Sequence, residues 1–190
     1  MPLSHPITLL LKHFIRYQNH LQNQIGHTVA WASLLLVGIT ALVVILRYGF
    51  DTGSIALQES IMYTHAFLFM LGMAYTYQQD KHVRVDVFYA HYSIKKRAWV
   101  NLLGTLFLTL PTMSFILWSG WDYVAISWEI SETSAESNGI AYLYLLKTLI
   151  LIMAVLVIAQ ALSIAAQAGL TLLSNQESLT EENDHLEGKL

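Results

Sequence analysis

From Thr28 to Leu46 the chain runs nineteen residues without a charged side chain, closed by Arg47. A helix of that length, at 1.5 Å per residue, nearly crosses a hydrocarbon core about 30 Å thick. Three later stretches have the same character, about Ile55 to Tyr77, Ala98 to Trp121 and Ile140 to Ala168. In the second, the eighteen residues from Ser60 to Tyr77 hold only His65 and tyrosines as ionisable groups, and in the fourth Lys147 is the single interruption. A soluble helix does not keep so wide an apolar girth. The chain as a whole is only 12% charged, with a mean hydropathy of +0.47, against about 25% charged residues in soluble domains. The expected fold class is an all-α membrane protein with four transmembrane helices (spans 28–46, 55–77, 98–121 and 140–168), too short in sequence to hold a separate soluble domain.

The flanks are polar. In residues 1–26, Ile7, Leu10, Leu11, Phe14, Tyr17, Leu21 and Ile25 recur at helical spacing, with Lys12, His13, Arg16, Asn19, His20 and Asn23 on other faces. That pattern suits an N-terminal amphipathic helix lying in the membrane interface, with a solvated arm that folds only against its neighbours as the alternative. No cleavable-signal pattern interrupts this reading. Residues 27–168 form the transmembrane domain, and residues 169–190 an acidic, solvated tail. Between spans two and three, Val85, Phe88, Tyr89 and Tyr92 follow i, i+3, i+4, i+7 and suggest a short surface helix, with a plain loop as the alternative. Pro111 should bend span three.

Basic residues set the orientation. Lys12 and Arg16, then Lys81, Arg84, Lys95, Lys96 and Arg97, and finally Lys189 lie on one side of a four-span chain. The positive-inside rule puts that side, with both termini, in the cytoplasm.

Ionisable residues in spans are candidates for function, because burying them costs at least about 2.5–3.5 kcal/mol. Arg47, Glu59 and Lys147 all fall in the outer third, where mutual pairing or pairing with another subunit are the open readings. An ion path would need several facing polar groups at mid-depth, and spans one and three offer no charge there. His65 has no second histidine on a facing span, as a bis-histidine haem would need. The absence of cysteine removes disulfides, thiolate metal sites and cysteine nucleophiles. No H-E-x-x-H, G-x-S-x-G or P-loop pattern occurs, so neither an enzyme nor a nucleic-acid partner is expected. Gly72 and Ala74 permit close helix approach, and His82 and Asp86 are expected to pin the end of span two.

Taken in order, Arg47-Tyr48, Glu59, Phe69 and Gly72, the sequence HVRVD at His82 to Asp86 with Arg84 at its centre, KKRAW, SETS at Ser131 to Ser134 and GIAYLYLLKTLI from Gly139 resemble a known family. The chain resembles the small membrane subunit (DctQ-like) of tripartite ATP-independent periplasmic (TRAP) transporters over about residues 30 to 168. The resemblance implies a scaffold for a large membrane subunit that itself binds substrate and sodium, so no cofactor is expected on this chain. It also implies a periplasmic substrate-binding protein that delivers an organic acid or related anion, with residues 122–139 as a possible contact, and membrane lipids as surroundings. The alternatives are a haem-binding anchor of a respiratory enzyme and a stand-alone small transporter.

Overall fold

The computed structural model describes residues 5–80, 89 and 91–187, with side-chain surroundings up to residue 174. All of the regular structure among them is helical: α1 (His5–Gly49), α2 (Ile55–Gln78), α3 (Ile94–Gly104), a π-helical turn (Thr105–Thr109), α4 (Leu110–Glu129) and α5 (Leu143–Glu187). Three continuous helical stretches are long and apolar enough to cross a membrane: residues 6–49, 94–129 and 143–174. α2 has the length, at 24 residues, but is not among them, and Gln58, Glu59, Thr64 and His65 interrupt its apolar run.

α5 is the axis of the bundle and packs against α1, α2, α3, the π turn and α4. The buried centre is narrow. Ala74 of α2 and Met153 and Val157 of α5 form it, with Met70, Met73, Tyr77, Met113, Ile116 and Leu156 around them. Outside this seam the flanks of α1 and α4 are broadly exposed and apolar, as surfaces in contact with lipid tails are.

The expected N-terminal interfacial helix is not a separate element. It continues without a break into the first span as one 45-residue helix. Part of its polar surface, the stripe Gln18, Asn19, Gln22 and Asn23, faces the bundle, with Gln18 and Gln22 buried, while Lys12, His13, Arg16 and His20 stay exposed. Asn19 is the hub of that face. Its carbonyl accepts a hydrogen bond from Gln78 Nε2 at 2.8 Å, and its Oδ1 accepts from Gln160 Nε2 at 3.1 Å and Ser163 Oγ at 3.3 Å. Gln22 Nε2 donates to the Leu156 carbonyl at 3.4 Å, and Gln79 Nε2 to Asn23 Oδ1 at 3.1 Å. α1, α2 and α5 are thereby joined at one level. One turn above, Gly26 lets α1 close on α2, since a Cβ at that position would lie within the Tyr75 ring.

The other helix limits also moved. The third span begins at Ile94, where Ser93 caps the helix, and reaches Glu129, while the tail expected to be unstructured continues α5 as helix to Glu187. Pro111 does affect its helix, but the distortion lies in the preceding turn. There the Leu110 N–H bonds the Thr105 carbonyl, one residue further back than an α-helix allows. Tyr77 Oη of α2 meets both Thr105 Oγ1 (3.1 Å) and Thr109 Oγ1 (3.4 Å) across this widened turn. α2 ends with Asp80 at a φ of 56°, its N–H bonded to the Tyr77 carbonyl. The expected surface helix from Val85 to Tyr92 falls largely outside the described residues.

Gly26→Ala should therefore push α1 from α2 and destabilise the bundle by about 1–3 kcal/mol, the usual cost of overpacking. The readout is the thermal unfolding midpoint in detergent. Tyr75→Leu in the same chain is expected to restore part of the loss.

Candidate functional site

The charged and hydrogen-bonding groups at the other end of the bundle form one connected structure over the α4–α5 loop. It begins with the way α4 stops. The N–H of Ser131, in the left-handed region at φ 49°, bonds the Trp128 carbonyl (3.1 Å), and the N–H of Glu132 bonds the Ser127 carbonyl (2.9 Å). This is a Schellman closure, with serine in the place glycine usually takes. It turns the Glu132 side chain back onto its own helix, where Ser127 Oγ, buried, donates to Oε2 at 2.6 Å.

The same Oε2 accepts the hydrogen bond of Lys147 Nζ from the second turn of α5. Lys147 Nζ also lies 4.1 Å from the centroid of the Tyr123 ring. The ammonium of an otherwise apolar helix is thus enclosed by a carboxylate and a ring face, both from the α4 side. Beside it Trp128 Nε1 donates to Thr148 Oγ1 at 2.8 Å, and the Trp128 and Tyr144 rings lie 4.6 Å apart. Lys147 and Ser127 hold the Glu132 carboxyl below the ordinary carboxylate range, in that order of effect.

Glu59, one turn into α2, ties the loop to the third helix. Its Oε1 accepts from Ser134 Oγ and its Oε2 from the Ile140 N–H at 2.6 Å. Ser134 Oγ in turn accepts from the Glu136 N–H (3.1 Å), and the Ser134 N–H bonds the Ile140 carbonyl (3.2 Å). Gly139 lies so close that a Cβ there would meet Ser134 and, at 2.8 Å, Glu59 Oε1. Asn138, before it, takes a φ of 71°, a region that asparagine tolerates. One carboxylate therefore organises residues 134–140, and a second clamps α4 to α5.

Sequence reasoning left Arg47, Glu59 and Lys147 to pair with one another or with another subunit. The structure separates them. Lys147 pairs with Glu132, Glu59 holds the loop backbone and Ser134, and Arg47 is exposed at the end of α1 and forms no ion pair among the described residues. Gly72 sits on the outside of α2, where a Cβ would meet nothing within 4 Å, so it does not serve packing within this bundle. His82, Arg84 and Asp86 lie outside the described residues. The residues that reasoning missed are Ser127, Glu132, Ser134 and the N–H of Ile140, together with Asn19, Gln22 and Gln160 at the opposite end. A lysine inside an apolar span, following residues 122–139 with their four acids, pointed to an acid partner. The stripe Gln18, Asn19, Gln22, Asn23 pointed to a polar seam.

A family model described as "Tripartite ATP-independent periplasmic transporters, DctQ component" matches residues 36–168. That range holds the whole loop network and stops short of Asn19 and Gln22. No curated protein and no solved structure matches the chain.

Two outcomes test the network. A carboxylate whose folded pKa is depressed adds stability that is complete above its unfolded pKa and disappears as pH falls through the folded value. The stability advantage of the wild type over Glu132→Gln should thus persist at pH 6–7 and shrink below about pH 4.3, measured as the difference between their unfolding midpoints. Lys147→Met alone should be more destabilising than Lys147→Met with Glu132→Gln, because the single change leaves a carboxylate without its cation. A double-mutant cycle on the midpoints reads this.

Proposed function

The chain belongs to the DctQ component family of tripartite ATP-independent periplasmic transporters, and from that membership we propose that it is the scaffold subunit of a sodium-coupled importer of organic acids or related anions. It is a small membrane subunit of such a transporter, a family of transport components and not of enzymes, and the family works with a large membrane subunit and a substrate-binding protein.

The finer reading adds four spans, with α2 counted among them, in the bacterial inner membrane. Both termini face the cytoplasm, and the loop held by Glu59 and Glu132 faces the periplasm. In its favour, Lys12 and Arg16 near the start of α1 and Lys95, Lys96 and Arg97 at the start of α3 gather at the end opposite that loop. The observation that carries the scaffold role is where the polar groups go. Among the described residues, Asn19, Gln22, Gln78, Gln160 and Ser163 tie three helices together at one end, while Glu59, Glu132 and Lys147 tie three at the other. Hydrogen bonds inside membrane bundles contribute on average about 0.6 kcal/mol each, so such networks fix relative helix positions more than they add bulk stability. Substrate and sodium chemistry belongs on the large subunit, and the exposed, acidic loop supports contact with the delivering protein.

The test is purification and transport together. Tagged chain is expected to bring down the large subunit, cells lacking the chain to lose uptake, and the chain alone in liposomes to move no solute. Uptake by the chain alone, or a Soret band in the pure protein, would establish the transporter or the haem anchor instead. Charge reversal at Glu59 should lower both recovered large subunit and uptake, since the loop loses the acceptor of two hydrogen bonds. With no native cysteine, orientation is read by single substitutions: Ser137→Cys should react with an impermeant maleimide in intact cells, and Lys12→Cys only after lysis.

A further inference from the structure

α2 turns one narrow side away from its own bundle. Gln58, Met62, His65, Phe69, Gly72 and Thr76 recur at steps of four and three along the helix, so they share one face. Gln58, His65 and Thr76 are exposed, Met62 is 49% exposed and Phe69 59%, and the Gly72 position is open. His65 lies about 15 Å along the helix from Ile55, near mid-depth of a hydrocarbon core about 30 Å thick. Its ring stacks on Phe69, with centroids 6.2 Å apart and planes 6° from parallel. Among the described residues it forms no hydrogen bond or ion pair.

The other outward faces differ in kind. From Thr28 to Leu46, from Ala98 to Trp121 and from Thr148 to Ala168 there is no ionisable side chain. On α1 the exposed hydroxyls of Ser33 and Thr40 bond carbonyls of their own helix. Hydrocarbon suits those faces. An imidazole at mid-depth is different, because lipid tails can satisfy neither ring nitrogen. α2 is also the helix that falls short of the apolarity of the other three stretches, and its outward face contributes Gln58 and His65 to that shortfall.

We infer that this face of α2 is the seat of the large membrane subunit, which lays a helix along it with a hydrogen-bonding group opposite His65 and a side chain over the gap at Gly72. Polar complementarity selects protein over lipid as the occupant, and the open glycine between Phe69 and Thr76 permits close approach of a second backbone. The inference rests on the scaffold reading and adds which side of the chain does the holding.

The assembled complex supplies the test. A photo-crosslinking amino acid is placed singly at Met62 or Phe69, and for comparison at Val37 on α1 or Phe115 on α4, which are 65% and 62% exposed. The α2 positions should yield adducts with the large subunit, and the comparison positions adducts with lipid or none. His65→Leu should lower the large subunit recovered with the tagged chain by about tenfold, the loss of one anchor contact. Gly72→Phe, whose Cβ would meet nothing within 4 Å in its own bundle, should do likewise while the chain alone keeps its unfolding midpoint. Adducts from Val37 or Phe115 but not from α2, or unchanged recovery with both substitutions, would overturn the inference and leave the scaffold reading standing. Failure of the wild-type chain to bring down the large subunit would overturn both.

Discussion

Hydrocarbon offers no hydrogen bonds, so each polar group in a membrane bundle must find its partner inside protein. This bundle gathers most of its polar groups at two levels. At one end Asn19 gathers side chains from α2 and α5 onto α1, and at the other two carboxylates gather α2, α4 and α5 onto one loop. Between them the packing is a thin seam around Ala74, Met153 and Val157. Apolar helix faces alone would slide and rotate against each other at small cost, since lipid tails solvate them as well as leucine does. The polar ties remove that freedom. Rigidity of this kind is what a subunit needs if its task is to stay still while another moves.

The helices were legible in the sequence because long uncharged runs leave few alternatives, and the basic clusters at Lys12, Arg16 and Lys95 to Arg97 suggested which ends share a side. What escaped was set by relations between segments. The polar stripe through Asn19 looks the same whether it faces water or a neighbouring helix, and only the position of Gln160 in α5 decides. The shared depth of Arg47, Glu59 and Lys147 invited pairing, yet depth says nothing of direction around a helix. Lys147 turns toward α4 because the Schellman turn after Glu129 carries Glu132 back to it. Pro111 announced a distortion, but not its form, a π turn whose own threonine hydroxyls meet Tyr77 Oη of α2.

The family assignment and the geometry meet at the loop network. The matched range includes both carboxylates, the lysine and the serines that bind them, and ends before the stripe around Asn19. The α4–α5 loop, 13 residues from Ile130 to Tyr142, is therefore a built surface with a definite shape. Glu136 stands exposed on it, and Tyr142 and Ile130 flank it. A loop held by the Ile140 N–H and the Ser134 hydroxyl presents the same face on every encounter, which lowers the ordering entropy an approaching protein must overcome.

The unbroken α1 has a consequence for position along the membrane normal. A 45-residue helix is about 68 Å long, more than twice the thickness of the hydrocarbon. Its lower third cannot fold flat against the surface, because Asn19 and Gln22 bind it upright to α2 and α5. The bundle therefore stands out from the bilayer as a stem, and the apolar limits at Thr28 and Leu46 fix the height at which it floats. A neighbour fastened to α2 inherits that height. On the docking proposed above, the small chain acts as a gauge, setting the level at which its larger partner sits.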